Sequence, residues 1–205
     1  MKYMAKLIHL FKKIFKIIWV YKEGFKIIFN YFLIQFFDNS KKAKVYYGGH
    51  LKGSVGGPSV KLQKLNRFFP EKNWNFNIVY LLSNSIYLPV SYITFIKKKG
   101  LPIVLNQNGV YYPQWFDGNC EKENFKMSQI YHSADYVLWQ SKFCKKASEK
   151  FLGKRFGSGE ILYNAVDTSI FTPKKGRKNK KFTFLTTGNI RKKSNYRISS
   201  VLFAL

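Results

Sequence analysis

Asn106, Gln107 and Asn108 follow one another at the end of an apolar run, and Tyr111 and Tyr112 come shortly after. Amide side chains carry donors and acceptors on one group, and phenol rings offer a flat apolar face. Together they suit a ligand rich in hydroxyls, such as a sugar. The same residues also read as an Asn-Gly turn, Asn108-Gly109, with aromatic packing around it. A second stretch, "GGHLKGSVGG" from Gly48 to Gly57, is a glycine-rich loop ahead of Pro58. Glycines let the backbone approach a ligand, and a helix opening at Pro58 would turn its N–H groups toward an anion. Gly56 and Gly57 are the candidates for a phosphate, and His50 is placed in the loop to meet a ligand.

Other chemistries are excluded. The loop is not a GxGxxG, and the strand after it ends in Ser83-Asn84-Ser85, without the acidic residue that would hold a ribose. No GK[ST] follows, so it is not a Walker loop. His9, His50 and His132 have no metal-ligand spacing, and Cys120 and Cys144 form no CxxC. We expect two reduced thiols and no metal, and His132 reads as a packing residue.

These residues have to be held by elements that the pattern names. "AKVYYGG" reads as a buried strand, and Val60, Leu62, Leu65, Phe68 and Phe69 give a helical stripe after Pro58. "FNIVYLLS" is a second strand, and "LPVSYITFIKKKG" is a helix closed by Gly100. "LPIVLNQNG" is a third strand, and "EKENFKMSQIYHSA" is a helix with acidic residues in its first turn. "DYVLWQS" is a fourth strand. Ser141 caps "KFCKKASEKFL", Gly153 ends it, and "GEILYN" is a fifth strand. Strands separated by helices of this length predict an α/β, doubly wound, Rossmann-like parallel sheet, with ligands at the carboxyl ends of its strands.

The 205 residues carry a formal net charge of +26, with 46% apolar residues. A core can form, and the charge points to an anionic partner. Lys far outnumbers Arg, and Ile, Asn, Phe and Tyr are abundant, so part of the charge reflects biased composition. Scarce Arg speaks against nucleic acid, because Arg supplies the fork that reads guanine edges. Residues 1–40 form a basic arm. Up to residue 37 they are almost wholly large apolar residues and Lys, without an uncharged run of the ~20 residues that span a bilayer. On a helix, Lys2, Lys6, His9, Lys12, Lys13 and Lys16 fall within a sector of about 120°. Leu7, Leu10, Phe11, Ile14, Ile18 and Tyr21 lie opposite. This suits an amphipathic helix on an anionic membrane surface, or one packed on the protein's own core or on a partner.

Four phrases, "GGPSVKLQKL", "ADYVLWQSKFC", "ILYNAVDTSIFTP" and "FTFLTTGNI", stand in the order and spacing of group 1 (family four) glycosyltransferases. These are retaining enzymes of the GT-B fold, and the chain resembles most those bacterial members that build surface polysaccharides. The resemblance covers about residues 44–188. Its most specific part is the hinge phrase of Ile161, Asn164, Val166, Asp167, Phe171 and Pro173. It implies an acceptor-binding domain over 41–173, with 174–205 as a linker and the start of a nucleotide-sugar-binding domain. Gly188 would follow that domain's first strand, and Arg191, Lys192 or Lys193 would hold the donor diphosphate, whose developing charge needs cations. His50, Asn106, Gln107, Asn108 and Tyr111 would line the acceptor side. Where the family often has a His after the third strand, this chain has the three amides.

The resemblance therefore implies hexose transfer from a nucleotide sugar to a polysaccharide or lipid-linked acceptor, with retention and without a metal or other cofactor. It implies a cytoplasmic protein, peripheral on the inner face of the membrane. Asp167 is the last acidic residue, so the family's pair of donor-site glutamates has no counterpart. We expect a truncated chain, inactive in transfer by itself. The alternative is a non-enzymatic protein that binds membrane surfaces or polyanions through charge.

Overall fold

The computed structural model describes residues 2–37, 42–49, 57–83, 88–114, 116–172, 199 and 202–203. Among them are five strands, β1 (Val45–Tyr46), β2 (Ile78–Leu82), β3 (Ile103–Gln107), β4 (Tyr136–Trp139) and β5 (Ser158–Ile161). Five helices, α1 (Lys2–Phe37), α2 (Gly57–Phe68), α3 (Val90–Lys98), α4 (Cys120–Ser133) and α5 (Lys142–Leu152), alternate with them. All four strand pairings are parallel. The α/β class and the parallel sheet of the Rossmann-like expectation are thus met.

The winding differs from a doubly wound sheet. The strands lie in the order β1-β2-β3-β4-β5, without the reversal that defines such a sheet. Side chains of adjacent strand residues point to opposite faces, and two apolar clusters divide them. Tyr46, Val79, Leu81, Ile103, Leu105 and Val137 join Ile27 of α1, Ile93 and Ile96 of α3, Met127 and Ile130 of α4, and Leu152 of α5. Val45, Tyr47 and Leu82 join Leu62 of α2, with Leu65 and Tyr80 beside them. Four helices therefore cover one face and α2 the other. Strands laid down in one direction with helices on both faces require crossovers of both hands. The connection through α2 is opposite in hand to the other three, although one hand prevails in about 98% of such units.

Local signals set most element ends. The Asn119 side chain accepts from Lys122 N at 2.8 Å to cap α4, and Glu121 and Glu123 occupy its first turn, where carboxylates favour the positive helix end. Ser141 accepts from Cys144 N at 3.0 Å to cap α5. Asp135 fastens β4 to its neighbours. It accepts from Ile103 N at 2.8 Å and from Lys97 Nζ at 3.1 Å. The stripe expected on α2 is narrower than its sequence suggests. Leu62 is buried and Leu65 half-buried, but Val60, Phe68 and Phe69 are exposed.

α1 is a single helix of 36 residues. Its carboxyl-terminal half is seated on the sheet by positions 19, 20, 23, 24, 27, 30, 31 and 34, a spacing that traces one helical face. Asn30 donates to Phe76 O at 2.9 Å and accepts from Phe76 N at 2.8 Å. Buried Glu23 accepts from Lys26 Nζ at 2.9 Å and from the Tyr46 hydroxyl, and Tyr46 stacks on Phe76. Burial first, then the Glu23 carboxylate, pushes the Tyr46 phenol far above its ordinary value. Gly24 lies against the Tyr92 ring of α3, where a Cβ would collide. No described helix is long and apolar enough to cross a membrane.

Asn30→Ala leaves the buried Phe76 N–H and C=O without partners, and each such loss costs about 1–3 kcal/mol. We expect the variant to lose about 2–4 kcal/mol of unfolding free energy, read from urea denaturation followed by far-ultraviolet circular dichroism. A loss below about 0.5 kcal/mol would show that α1 is not anchored there.

Candidate functional site at the carboxyl edge

β3 ends in Asn106 and Gln107, and the chain then turns over the carboxyl edge of the sheet. Asn106 and Gln107 are buried, while Asn108 and Tyr111 are half-buried. Lys61, from α2, reaches across to this edge. Its Nζ donates to Asn106 Oδ1 at 3.0 Å and to Asn108 Oδ1 at 2.9 Å. No carboxylate among the described residues pairs with it. Burial lowers the Lys61 pKa, with Cys144 nearby opposing the shift. An ammonium held only by neutral amide oxygens keeps a third N–H and an uncompensated charge.

The surroundings fix this arrangement. Asn108 N donates to Ser83 Oγ at 2.9 Å, tying the loop after β3 to the end of β2. Gln107 turns inward, donating to Gly109 O at 2.6 Å and to Met127 Sδ at 3.3 Å. Its Oε1 is buried without a partner among the described residues. Asn124 of α4 accepts from Tyr111 N and donates to Tyr111 O, both at 2.8 Å, which clamps the far end of the loop. Tyr111 meets Phe116 edge-on at 4.7 Å. Burial raises its phenol pKa, with Glu123 adding to the rise.

Beside this cluster is a cleft of about 250 Å³, lined by Ser83, Leu88, Val90, Tyr111, Met127 and Ile130. Sites for drug-sized ligands begin at about 300 Å³, so the cleft has room for one small ring. Ser83 borders both the cleft and the amide cluster. A ring against Tyr111 would therefore meet Ser83, whose Oγ is the link from the cleft to Asn108, while Lys61 stands on the α2 side of the sheet.

Of the residues singled out from sequence, Asn106, Gln107, Asn108 and Tyr111 are brought together, and Gly57 opens α2 on the surface. His50, Gly56, Gly188, Arg191, Lys192 and Lys193 lie outside the described residues. Lys61, Ser83 and Asn124 were not foreseen as members. Lys61 could have been found, because it lies one position before Leu62 and four before Leu65 and so flanks the buried face of α2.

The remaining chemical candidates serve the fold. His132 Nε2 lies 2.8 Å from Leu152 O, between α4 and α5. The Cys144 thiol donates to Gln107 O at 3.1 Å, and burial raises its pKa. Among the described residues no group of three or more His, Cys, Asp or Glu could hold a metal. At the hinge phrase, Ser169 N and Oγ donate to Asp167 Oδ1 at 3.0 and 2.6 Å, closing a turn and lowering the Asp167 pKa. Leu202 and Phe203 are exposed, so these two do not dock on the sheet domain. No protein-family model, curated protein or solved structure matches the chain.

Two measurements follow from these placements. Thiolate, not thiol, attacks disulfide reagents, so Cys144 should stay silent while half-buried Cys120 reacts. With Ellman's reagent we expect one thiol titrated in the native protein and two in urea; two fast thiols in the native state would contradict the burial of Cys144. The second concerns Lys61. Its folded pKa lies below the ordinary 10.5, so between those values the unfolded chain binds more protons and stability rises with pH. The stability of the wild type relative to Lys61→Met should therefore climb as pH approaches 10.5. A flat or falling difference would show that the ammonium is solvated.

Proposed function

We propose that this chain is the acceptor-binding domain of a retaining sugar transferase that works at a membrane surface. The observation that carries the proposal is the convergence of Asn106 and Asn108 on Lys61 at the carboxyl edge of a parallel sheet, beside a ring-sized cleft walled by Tyr111. Open α/β sheets bind ligands at this edge. Neutral amides with an aromatic wall suit sugar hydroxyls, and the Lys61 charge suits a phosphate or carboxylate on the same acceptor. The resemblance in the glycine loop and hinge phrases supplies the reaction: transfer of a hexose from a nucleotide sugar to a polysaccharide or lipid-linked acceptor, without a metal.

In this reading Asn108 and Tyr111 hold the acceptor ring, Lys61 and Asn106 orient its anionic or hydroxyl group, and Gln107 supports the loop from inside. His50, Gly56 and Gly57 are assigned to the same ligand from the sequence alone. Gly188, Arg191, Lys192 and Lys193 serve the donor diphosphate, so transfer needs both halves of a cleft in place. Holding acceptor and donor in register supplies several kcal/mol of the barrier in such reactions. The protein acts from the inner, cytoplasmic face as a peripheral membrane protein. Nucleic acid is not its partner.

A second reading, a non-enzymatic membrane-surface protein, is favoured by one observation. α1 exposes Leu10, Phe11, Ile14, Ile17, Ile18, Tyr21, Phe25, Ile28, Phe29 and Phe32. Such a surface exceeds what monomers ordinarily leave in water.

Calorimetric titration with phosphorylated sugars and short glycolipid analogues separates the two. The transferase reading expects saturable binding, weakened at least about tenfold by Asn108→Ala and again by Lys61→Met. Salt should weaken it only modestly, because amide and ring contacts are not screened. No saccharide binding, or binding indifferent to both substitutions, would reject the acceptor site and leave the membrane-surface reading.

A further inference from the structure

The direction of α1 follows from its contacts. Asn30 pairs with Phe76, just before β2 begins, and Phe25 and Phe29 meet Trp74 at 6.5 and 5.4 Å. Glu23 holds Tyr46 in β1, and Trp19 and Glu23 lie against Gly49, beyond the end of β1. The helix therefore runs antiparallel to the strands. Its later part lies at the amino edge of the sheet, and position 19 is already at the carboxyl edge. Positions 2–18 are helical and continue past that edge, an overhang of about 25 Å at 1.5 Å per residue. The overhang extends on the side of the sheet that carries Lys61, Asn106 and Asn108.

The exposed apolar residues of α1 form one stripe. At about 100° per residue, those from Leu10 to Phe32 fall within about 120° of the circumference, nearly opposite the seated face. The stripe is about 33 Å long, and its outer half lies on the overhang. Exposed Lys13 and Lys22 border it on its two sides. The one carboxylate of α1, Glu23, is buried against Tyr46, while seven lysines stand between positions 2 and 26. Paired stripe to stripe, a second copy would set the bordering Lys13 and Lys22 together with no exposed carboxylate on α1 to offset them, which opposes self-association. An anionic bilayer complements both the stripe and its cationic border. Because no described helix can cross a membrane, the helix must lie in the interface plane.

We propose that α1 is an outrigger. Its free amino-terminal half lies in the headgroup–acyl boundary of an anionic bilayer and holds the carboxyl edge of the sheet toward that surface. The ligand of the Lys61–Asn106–Asn108 cluster is then a lipid-borne headgroup that enters from the membrane side, rather than a sugar free in solution. This orientation rests on the membrane-surface part of the proposed function and goes further by naming the face and the source of the acceptor.

The experiment uses the full chain with vesicles of phosphatidylglycerol and phosphatidylcholine. Co-sedimentation should be strong at low salt and weak on pure phosphatidylcholine. Ile14→Asp with Ile18→Asp should weaken it at least about tenfold, because two buried apolar groups are lost. Phe156→Asp, exposed elsewhere, should not weaken it. Circular dichroism confirms that the variants fold. Orientation is read separately. Lys142→Cys at the carboxyl edge and Lys98→Cys at the amino edge, each in a Cys120→Ser, Cys144→Ala background, carry a fluorophore. Headgroup spin-labelled lipid should quench the label at position 142 the more strongly.

Failure to sediment would overturn the membrane reading together with the outrigger. Sedimentation unaffected by the Ile14 and Ile18 changes would overturn the overhang alone. Stronger quenching at position 98, or equal quenching, would overturn the orientation. Sugar binding as titrated above is untouched by all three outcomes.

Discussion

The attachment of α1 to the sheet is the constraint from which the rest of the geometry follows. A buried carboxylate, Glu23, is satisfied at once by Lys26 and by the Tyr46 hydroxyl, and a buried amide, Asn30, closes a two-bond pair with the Phe76 backbone. Apolar contact alone would hold a helix on a sheet with little preference for sliding along it. Buried polar groups are different, since a shift of one turn would leave each without its partner at a cost of about 1–3 kcal/mol. Tyr46 stacks on Phe76, so the two contacts are neighbours near the start of β2, and as polar pairs made from different turns of the helix they fix its direction and register. The reach of its free half beyond the sheet is a consequence.

The same logic places the candidate site. In a doubly wound sheet a crevice opens where the strand order reverses, because neighbouring loops leave for opposite faces. Here the order never reverses, yet α2 covers one face and α3 the other. The chain therefore reaches α2 on one face and α3 on the other, and the cleft is lined from the end of β2, α3, α4 and the loop after β3. The hand of the α2 crossover sets Lys61 on the face opposite α3 and α4. Lys61 spans from that helix to β3, and Ser83 at the end of β2 lies between the amides and the cleft.

Most elements were legible because their signals are local. Ser141 and Gly153 bracket α5 as their capping chemistry requires, and the acidic first turn of α4 matches its helix end. Strand order was not legible, since alternation fixes parallel pairing but not which strand lies beside which. The α2 stripe was overread because Val60, Phe68 and Phe69 keep helical spacing while only Leu62 and Leu65 meet the sheet. For α1 the sequence suggested a helix on a membrane or one packed on its own core. Two apolar faces alternate along it, and only the structure separates the seated face from the exposed one. Lys61 was passed over because a Lys near a helix start ordinarily reads as solvated, and its amide partners are 45 and 47 positions away.

The end of β3 breaks a rule that the rest of the sheet keeps. Ile103 and Leu105 are apolar and buried, as a central strand of a covered parallel sheet requires. Asn106 and Gln107 occupy the next positions of the same strand and are as deeply buried. An apolar pair there would pack without hydrogen-bonding obligations, whereas buried amides must find partners or cost stability. Asn106 finds an ammonium that is itself partly desolvated, and Gln107 keeps one buried oxygen unpartnered among the described residues. A fold selected for stability alone has no use for a half-satisfied polar network at the centre of its sheet. Sites where local preference yields are those where function is expected. The carboxyl edge of β3 is such a place, on the edge where α/β sheets hold their ligands.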